Sequence, residues 1–262
     1  MRIIKEQRKR PVYKTWIRVN KIIIFSVISI LLILIALSPI NLFLRIGAGV
    51  LSLPFLYISL IIIYSYYQFS DLGGDFQSKI HNLIVSKIGY NGNGTILDIG
   101  VGSASLITKI AKSLPKVSLV GIDYWGDDWE YSKDICEKNA EYEGVSDRIS
   151  FIKASASKLP FDDNEFDVVV SCLTFHEVKD ENDKIKVFKE ALRVIKENGE
   201  FVFLDLFLDE NIFGKNDEFF NTINLLGISD IKVEKLEDII DFPKILLNKK
   251  VLGNAVIIYG RK

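Results

Sequence analysis

The sequence predicts a doubly wound α/β domain with a seven-stranded, mostly parallel sheet, preceded by a two-helix membrane hairpin. Three observations carry this. Thr95–Ser105, TILDIGVGSAS, reads as a buried strand running into a glycine turn and then a helix. Downstream, apolar runs of strand length alternate with segments of helical periodicity, the pattern of parallel strands joined by right-handed crossovers. Upstream, Ile22–Tyr67 is almost free of charge.

The hairpin comes first in the chain. Ile22–Leu37 contains no charge, Ser38-Pro39-Ile40-Asn41 is a turn signal, and Leu42–Tyr67 is apolar apart from Arg45, with Pro54 in its middle. About 20 apolar residues cross a bilayer core. Ile22–Ile40 and Ile46–Tyr67 reach that length. A cleaved signal peptide is disfavoured, because the run exceeds an apolar leader and no small-x-small cleavage site follows. Eight Lys/Arg and a single acid, Glu6, lie in residues 1–21. Under the positive-inside rule these stay cytoplasmic, and two crossings return the body to that side. A re-entrant hairpin has the same outcome. The division expected is therefore 1–21, a basic cytoplasmic N-terminus; 22–67, the hairpin; and 68–262, the α/β body. The expected location is the cell membrane, multi-pass, with the body cytoplasmic.

The whole chain carries −1, so the body carries −9. An acidic body argues against nucleic acid as a partner, since phosphate contacts need clustered Lys/Arg. Cys136 and Cys172 have no neighbours at metal-ligand spacing, so neither a metal site nor a disulfide framework is expected.

Within the body, Phe76–Ile88 reads as a helix after the linker-like Asp71–Asp75. Then come strand Thr95–Ile99, helix Ser103–Leu114, strand Val117–Ile122, helix Asp128–Glu143, strand Arg148–Lys153 and strand Phe166–Ser171. Helix Asp183–Lys196 is ended by Asn198-Gly199. Strand Glu200–Leu206, helix Phe213–Leu226 and strands Ile231–Leu236 and Ala255–Tyr259 follow, the last two most simply as an antiparallel edge pair.

Glycine is needed where backbone turns sharply or approaches a ligand, and N–H groups at the following helix start attract polar ligand groups. Asp98, at the strand's carboxyl end, faces the crevice where open α/β sheets bind ligands. Asp123 closes the second strand, the position at which a carboxylate accepts ribose hydroxyls. As alternatives, Asp98 caps the turn and Asp123 caps a helix. A dinucleotide fingerprint wants a third glycine where Ser105 stands.

Asp98-x-Gly100-x-Gly102-x-Ala104 resembles the first motif of class I S-adenosylmethionine-dependent methyltransferases, with Ala104 in the place of a glycine. The resemblance extends over Phe76–Tyr259 through Asp123, Ala154–Phe161 (ASASKLPF), Glu165-Phe166-Asp167 and Arg193-Val194-Ile195 with Gly199. It implies S-adenosylmethionine as cofactor, with Asp98, Gly100 and Gly102 at its amino-acid end and Asp123 on its ribose. Tyr124 or Trp125 would lie over its adenine unless they only pack, the role assigned to Trp129 and Tyr131. Ser155 and the Ala156 backbone would lie at the adenine edge, although the family usually carries Asp where this chain has Ser155. His176, after the fourth strand, is the candidate general base, with Glu177 as orienter or alternative and Asp205 as a weaker candidate. The bland reading of His176 is that it holds its loop.

No Asn/Asp-Pro-Pro-Tyr/Phe follows the fourth strand, and Cys172 follows Ser171 rather than Pro. Amino-group methylation of adenine or glutamine and cytosine-C5 chemistry are thereby disfavoured. The hairpin suggests a small-molecule or lipid-like acceptor, such as a quinone precursor or a lipid headgroup. The rivals are an NAD(P)-linked oxidoreductase, opposed by Ser105 and the lack of a Tyr-x-x-x-Lys pair in the body, and a non-catalytic membrane scaffold. Oligomeric state is not legible.

Overall fold

The computed structural model describes residues 10–126, 131–248 and 251–262. Arg2, Lys5, Glu6, Arg8 and Lys9, Trp129, and the first residues of the helix expected from Asp128 lie outside them. The structure divides into two compact units: Thr15–Lys79, and Ile80–Lys262 together with the chain up to Lys14.

The first unit is built on helices α1 (Val19–Leu37) and α2 (Leu42–Phe69). Asn41 caps α2 by accepting the Phe43 N–H at 2.9 Å. At 1.5 Å rise per residue α1 is roughly 28 Å long, close to a bilayer's apolar thickness of about 30 Å. The longer α2 leaves room for tilt. Pro54 sits inside α2 and deprives the Val50 carbonyl of its helical partner. The pair is inside-out relative to a water-soluble hairpin. Its buried side chains include Ser29, Ser52, Ser59 and Ser65, while Leu34 is 57% and Leu53 61% exposed. Leaving such side chains in water costs about 1.5–3 kcal/mol each, whereas small residues inside and aliphatic ones outside suit lipid. Arg45 donates from Nε to Ala36 O across the turn at 3.0 Å. Both helices are long and apolar enough to cross a membrane.

The second unit holds seven strands: β1 (Thr95–Ile99), β2 (Ser118–Asp123), β3 (Ile149–Lys153), β4 (Phe166–Cys172), β5 (Ile195–Asp205), β6 (Ser229–Lys235) and β7 (Val256–Arg261). Their order is β3-β2-β1-β4-β5-β7-β6. The first five are parallel, and β7 is antiparallel to both β5 and β6. The expected β6–β7 pairing is present, with β7 inserted between β5 and the edge strand β6. Helix α3 (Phe76–Lys87) precedes the sheet. The crossover helices are α4 (Ser105–Ser113), α5 (Lys133–Tyr142) and α6 (Lys184–Arg193), followed by α7 (Glu210–Phe213) and α8 (Asn216–Asn224).

Three expected boundaries move, each for a local reason. Helix α4 starts at Ser105 rather than Ser103 because Gly102 and Ala104 are both left-handed, at φ +56° and +67°. The helix expected over Phe213–Leu226 is two, broken at Gly214 with φ +78°. Asn198-Gly199 does not separate α6 from β5. It forms a bulge inside the strand, since Phe166 pairs with Ile195 but Val168 pairs with Glu200.

The core behind β4 and β5 is aromatic: Phe175, Phe188, Phe201, Phe203, Phe207 and Phe219 are all fully buried. Phe188 lies 5.3 Å from Phe203 and 6.1 Å from Phe219, edge-on to both, a favoured ring geometry. Phe188→Ala should destabilise the body by about 3–5 kcal/mol in chemical denaturation; a loss below 1 kcal/mol would show that this cluster does not support the sheet.

Candidate active site at the carboxyl edge

The glycine turn follows β1. Gly100 and Val101 donate their N–H groups to Ile122 O at 2.8 and 2.9 Å, fastening the turn to β2. Gly100 has φ +79°, and a Cβ there would strike Thr174 Oγ1 at 1.9 Å. The expectation that Gly100 is bare for a ligand is thus refined: the space its Cβ would take holds the Thr174 side chain. At Gly102 a Cβ would meet nothing closer than Tyr131 at 3.7 Å, so φ +56° rather than crowding asks for glycine.

Asp123 accepts from Gly102 N–H at 2.9 Å and from Trp125 N–H at 2.9 Å, one on each carboxylate oxygen. The Trp125 indole N–H donates to Gly102 O at 3.2 Å, and Cys136 Sγ lies 3.1 Å from that same carbonyl. Trp125, not Tyr124, therefore folds back on the turn. Tyr124 is 66% exposed, with Lys153 Nζ 5.4 Å from its ring centre.

Asp98 is 1% exposed, and its Oδ2 is buried with no hydrogen-bond partner in the protein. A buried polar atom without a partner costs about 1–3 kcal/mol. Burial, and then the charge of Asp123, push the Asp98 carboxyl up to about 8. Burial also raises Asp123, against the backbone N–H groups that favour its charge. Two adjacent carboxylates, one of them with an unused oxygen, fit a ligand that brings a cationic group and hydroxyl donors. The ammonium group and ribose diol of S-adenosylmethionine are such groups.

At the end of β4 lies a second cluster. His176 Nδ1 is 2.6 Å from Asp205 Oδ1. Asp205 is 1% exposed and also accepts from Phe175 N–H at 2.8 Å and Leu206 N–H at 2.7 Å. Glu177 Oε1 stands 3.7 Å from His176 Nε2, too far for a hydrogen bond. Asp205 rather than Glu177 is therefore the orienting partner. Burial presses the His176 pKa down, but the Asp205 charge and hydrogen bond, aided by Glu177, outweigh it and hold it above 6.5.

Ser155 is not free at the adenine side. Its Oγ donates to Asp180 Oδ1 at 3.0 Å, and Ser157 Oγ donates to Asp180 Oδ2 at 2.7 Å. Ala156 beside it is buried. Asp180 and Cys136 are not legible as members of this edge from the sequence. Asp180 alone carries a signal, as a carboxylate in the loop after β4, while Ser155 after β3 stands in place of the acid expected there.

This sheet order, with an acid-bearing glycine turn after β1 and a second acid ending β2, is that of the Rossmann-like methyltransferase fold. Residues 97–203 match the family model described as a methyltransferase domain. The chain is 34% identical over 122 residues to a ubiquinone/menaquinone biosynthesis C-methyltransferase of Citrifermentans bemidjiense, covering 46% of this chain and 49% of that protein. It is 31% identical over 148 residues to a sterol 4-C-methyltransferase of Caenorhabditis elegans, covering 56% and 42%. In fold it is similar to Haemonchus contortus phosphoethanolamine N-methyltransferase 2, crystallised with S-adenosylhomocysteine, at TM-score 0.54 and 18% identity over 70% of this chain and 52% of that one. The chain spans about half the length of the curated relatives it matches.

A carboxyl whose folded pKa is raised stabilises the fold fully below its unfolded value near 4, and that contribution is lost as pH rises through about 8. The ligand-free protein should therefore lose stability between pH 4 and 8. Asp98→Asn should flatten that slope in denaturation measured at several pH values; an unchanged slope would place the titration elsewhere.

Proposed function

We propose that this chain is a membrane-anchored S-adenosylmethionine-dependent methyltransferase acting on carbon of a small, largely apolar acceptor of quinone or sterol type. The observation that carries the reading is the His176–Asp205 pair at the same carboxyl edge as Asp98 and Asp123. The curated relatives, both C-methyltransferases by name, support the carbon acceptor. The two apolar helices support the anchor.

S-adenosylmethionine, when bound, supplies an activated methyl group. Asp98 takes its ammonium group and Asp123 its ribose hydroxyls, with Gly102 keeping the backbone low and Ser155 and Ala156 bordering the adenine. The remaining task is to hold the acceptor in line and remove its proton. Asp205 fixes the tautomer of His176 by accepting from Nδ1, leaving Nε2 as the basic nitrogen. Glu177, on the Nε2 side, stabilises the imidazolium once it has formed. The catalytic body lies on the cytoplasmic face, because eight basic residues lie in residues 1–21, at the N-terminal side of the apolar run from Ile22.

The raised His176 pKa sets a pH limit. As a base His176 must be neutral, so kcat should fall on the acid side with a midpoint above 6.5. Asp205→Asn should move that midpoint down. His176→Gln should lower kcat by about 10²–10⁴-fold while leaving affinity for S-adenosylhomocysteine within a factor of about two. A variant that keeps full kcat would remove His176 from the chemistry.

The decisive experiment incubates membranes carrying the full chain with S-adenosylmethionine labelled in the methyl group. Label is expected in the organic-extractable small-molecule fraction; label confined to protein, or binding of NAD in place of S-adenosylmethionine in calorimetry, would overturn the proposal.

A further inference from the structure

The chain just before α1 touches the back of the glycine turn. Val12 N–H donates to Asn139 Oδ1 at 2.8 Å, and Asn139 Nδ2 donates back to Val12 O at 2.9 Å. The same Nδ2 donates to Ser103 O at 2.8 Å. Lys14 N–H donates to Ser103 Oγ at 3.3 Å. Tyr13 pins the segment from its far side: its hydroxyl donates to Glu143 Oε1 at 2.7 Å and lies 3.0 Å from Thr108 Oγ1. Burial, with Glu143 opposing ionisation, holds the Tyr13 phenol well above its ordinary range, so the donor keeps its proton.

Asn139 is 1% exposed. Its amide oxygen is used once and its nitrogen twice, so both nitrogen-bound hydrogens are engaged. One serves the N-terminal segment and the other serves the turn. The turn needs outside support, because Gly100, Gly102 and Ala104 all hold positive φ within five residues, and Ala104 has no glycine freedom. Ser103 lies between the last two, and it is the residue that Asn139 and Lys14 both grip.

We infer that Asn139 is a positioning residue for the cofactor turn and that Val12–Lys14 is a strap locking it, so that cofactor affinity depends on a segment that begins outside the α/β fold. The inference rests on the S-adenosylmethionine reading above. The strap reaches Ser103, and Ser103 is bonded in sequence to Gly102, whose N–H meets Asp123. Only residues 15–18 separate the strap from α1. A segment without such an attachment frays readily; this one runs on into a 19-residue helix. Loss of the helices therefore weakens the cofactor site without touching any of its residues.

The test uses the full chain in detergent, wild type against Tyr13→Phe, Asn139→Ala and the double variant. Calorimetry with S-adenosylhomocysteine and amide hydrogen exchange at residues 102–104 are the readouts. Tyr13→Phe is the mild change, and it should raise Kd about three- to five-fold, the worth of one hydrogen bond. It should also speed exchange at residues 102–104 and raise KM for the cofactor by more than it lowers kcat. Asn139→Ala should do more, and the double variant should be no weaker than Asn139→Ala alone. Unchanged Kd and unchanged exchange in Tyr13→Phe, or strictly additive losses, would overturn the strap. If wild type fails to bind S-adenosylhomocysteine, the cofactor reading falls instead, and the exchange measurement still decides whether the strap holds the turn.

Discussion

The carboxyl edge of this sheet is arranged around one unfavourable group, the Asp98 carboxyl. It is buried near the end of β1 with an oxygen that no protein group meets. Burial of that kind is tolerated only where something else requires it. Asp123 next to it makes matters worse, since two like charges in a dry site oppose each other's ionisation. The turn's three left-handed residues keep Gly102 N–H on Asp123. Trp125, Cys136 and Asn139 hold the turn from other sides. The domain thus spends local stability at this edge.

His176 stands in a different relation to its carboxylate. Asp205 is as buried as Asp98 but fully engaged, by two backbone N–H groups and the imidazole. The charge of Asp205 raises the basicity of the histidine. Phe175, fully buried against Phe203 and Phe188, fixes the loop so that the Nδ1 contact survives. Two buried aspartates thus take opposite roles, one awaiting a ligand and the other already serving a side chain.

Much of this was legible in the sequence because the signals were local. Strand periodicity, the glycine turn, the acids at the ends of β1 and β2 and the position of His176 are all read within short windows. What escaped depended on distance. Asp205 as the partner of His176 needs the β4–β5 register, and Thr174 beside Gly100 needs the turn and the β4 loop to be adjacent. Asp180 with Ser155 joins loops from β3 and β4, strands that β2 and β1 separate. The bulge at Asn198-Gly199 reads as a break in the sequence because Asn-Gly with a left-handed Asn marks either. Helices α1 and α2 extend slightly beyond the apolar runs Ile22–Leu37 and Leu42–Tyr67, and their serine interior appears only when side-chain burial is set against hydropathy.

The placement of β7 between β5 and β6 has a consequence for biosynthesis. Strand β5 carries Asp205 at its end, opposite Val256 of β7. Until residues 256–261 have left the ribosome, that side of β5 is an open edge of Phe and Val, the sort of surface on which nascent chains stick to one another. By then α1 and α2 have long since emerged. The sheet's most adhesive interval therefore lasts until β7, the last strand of the sheet to be made, is in place.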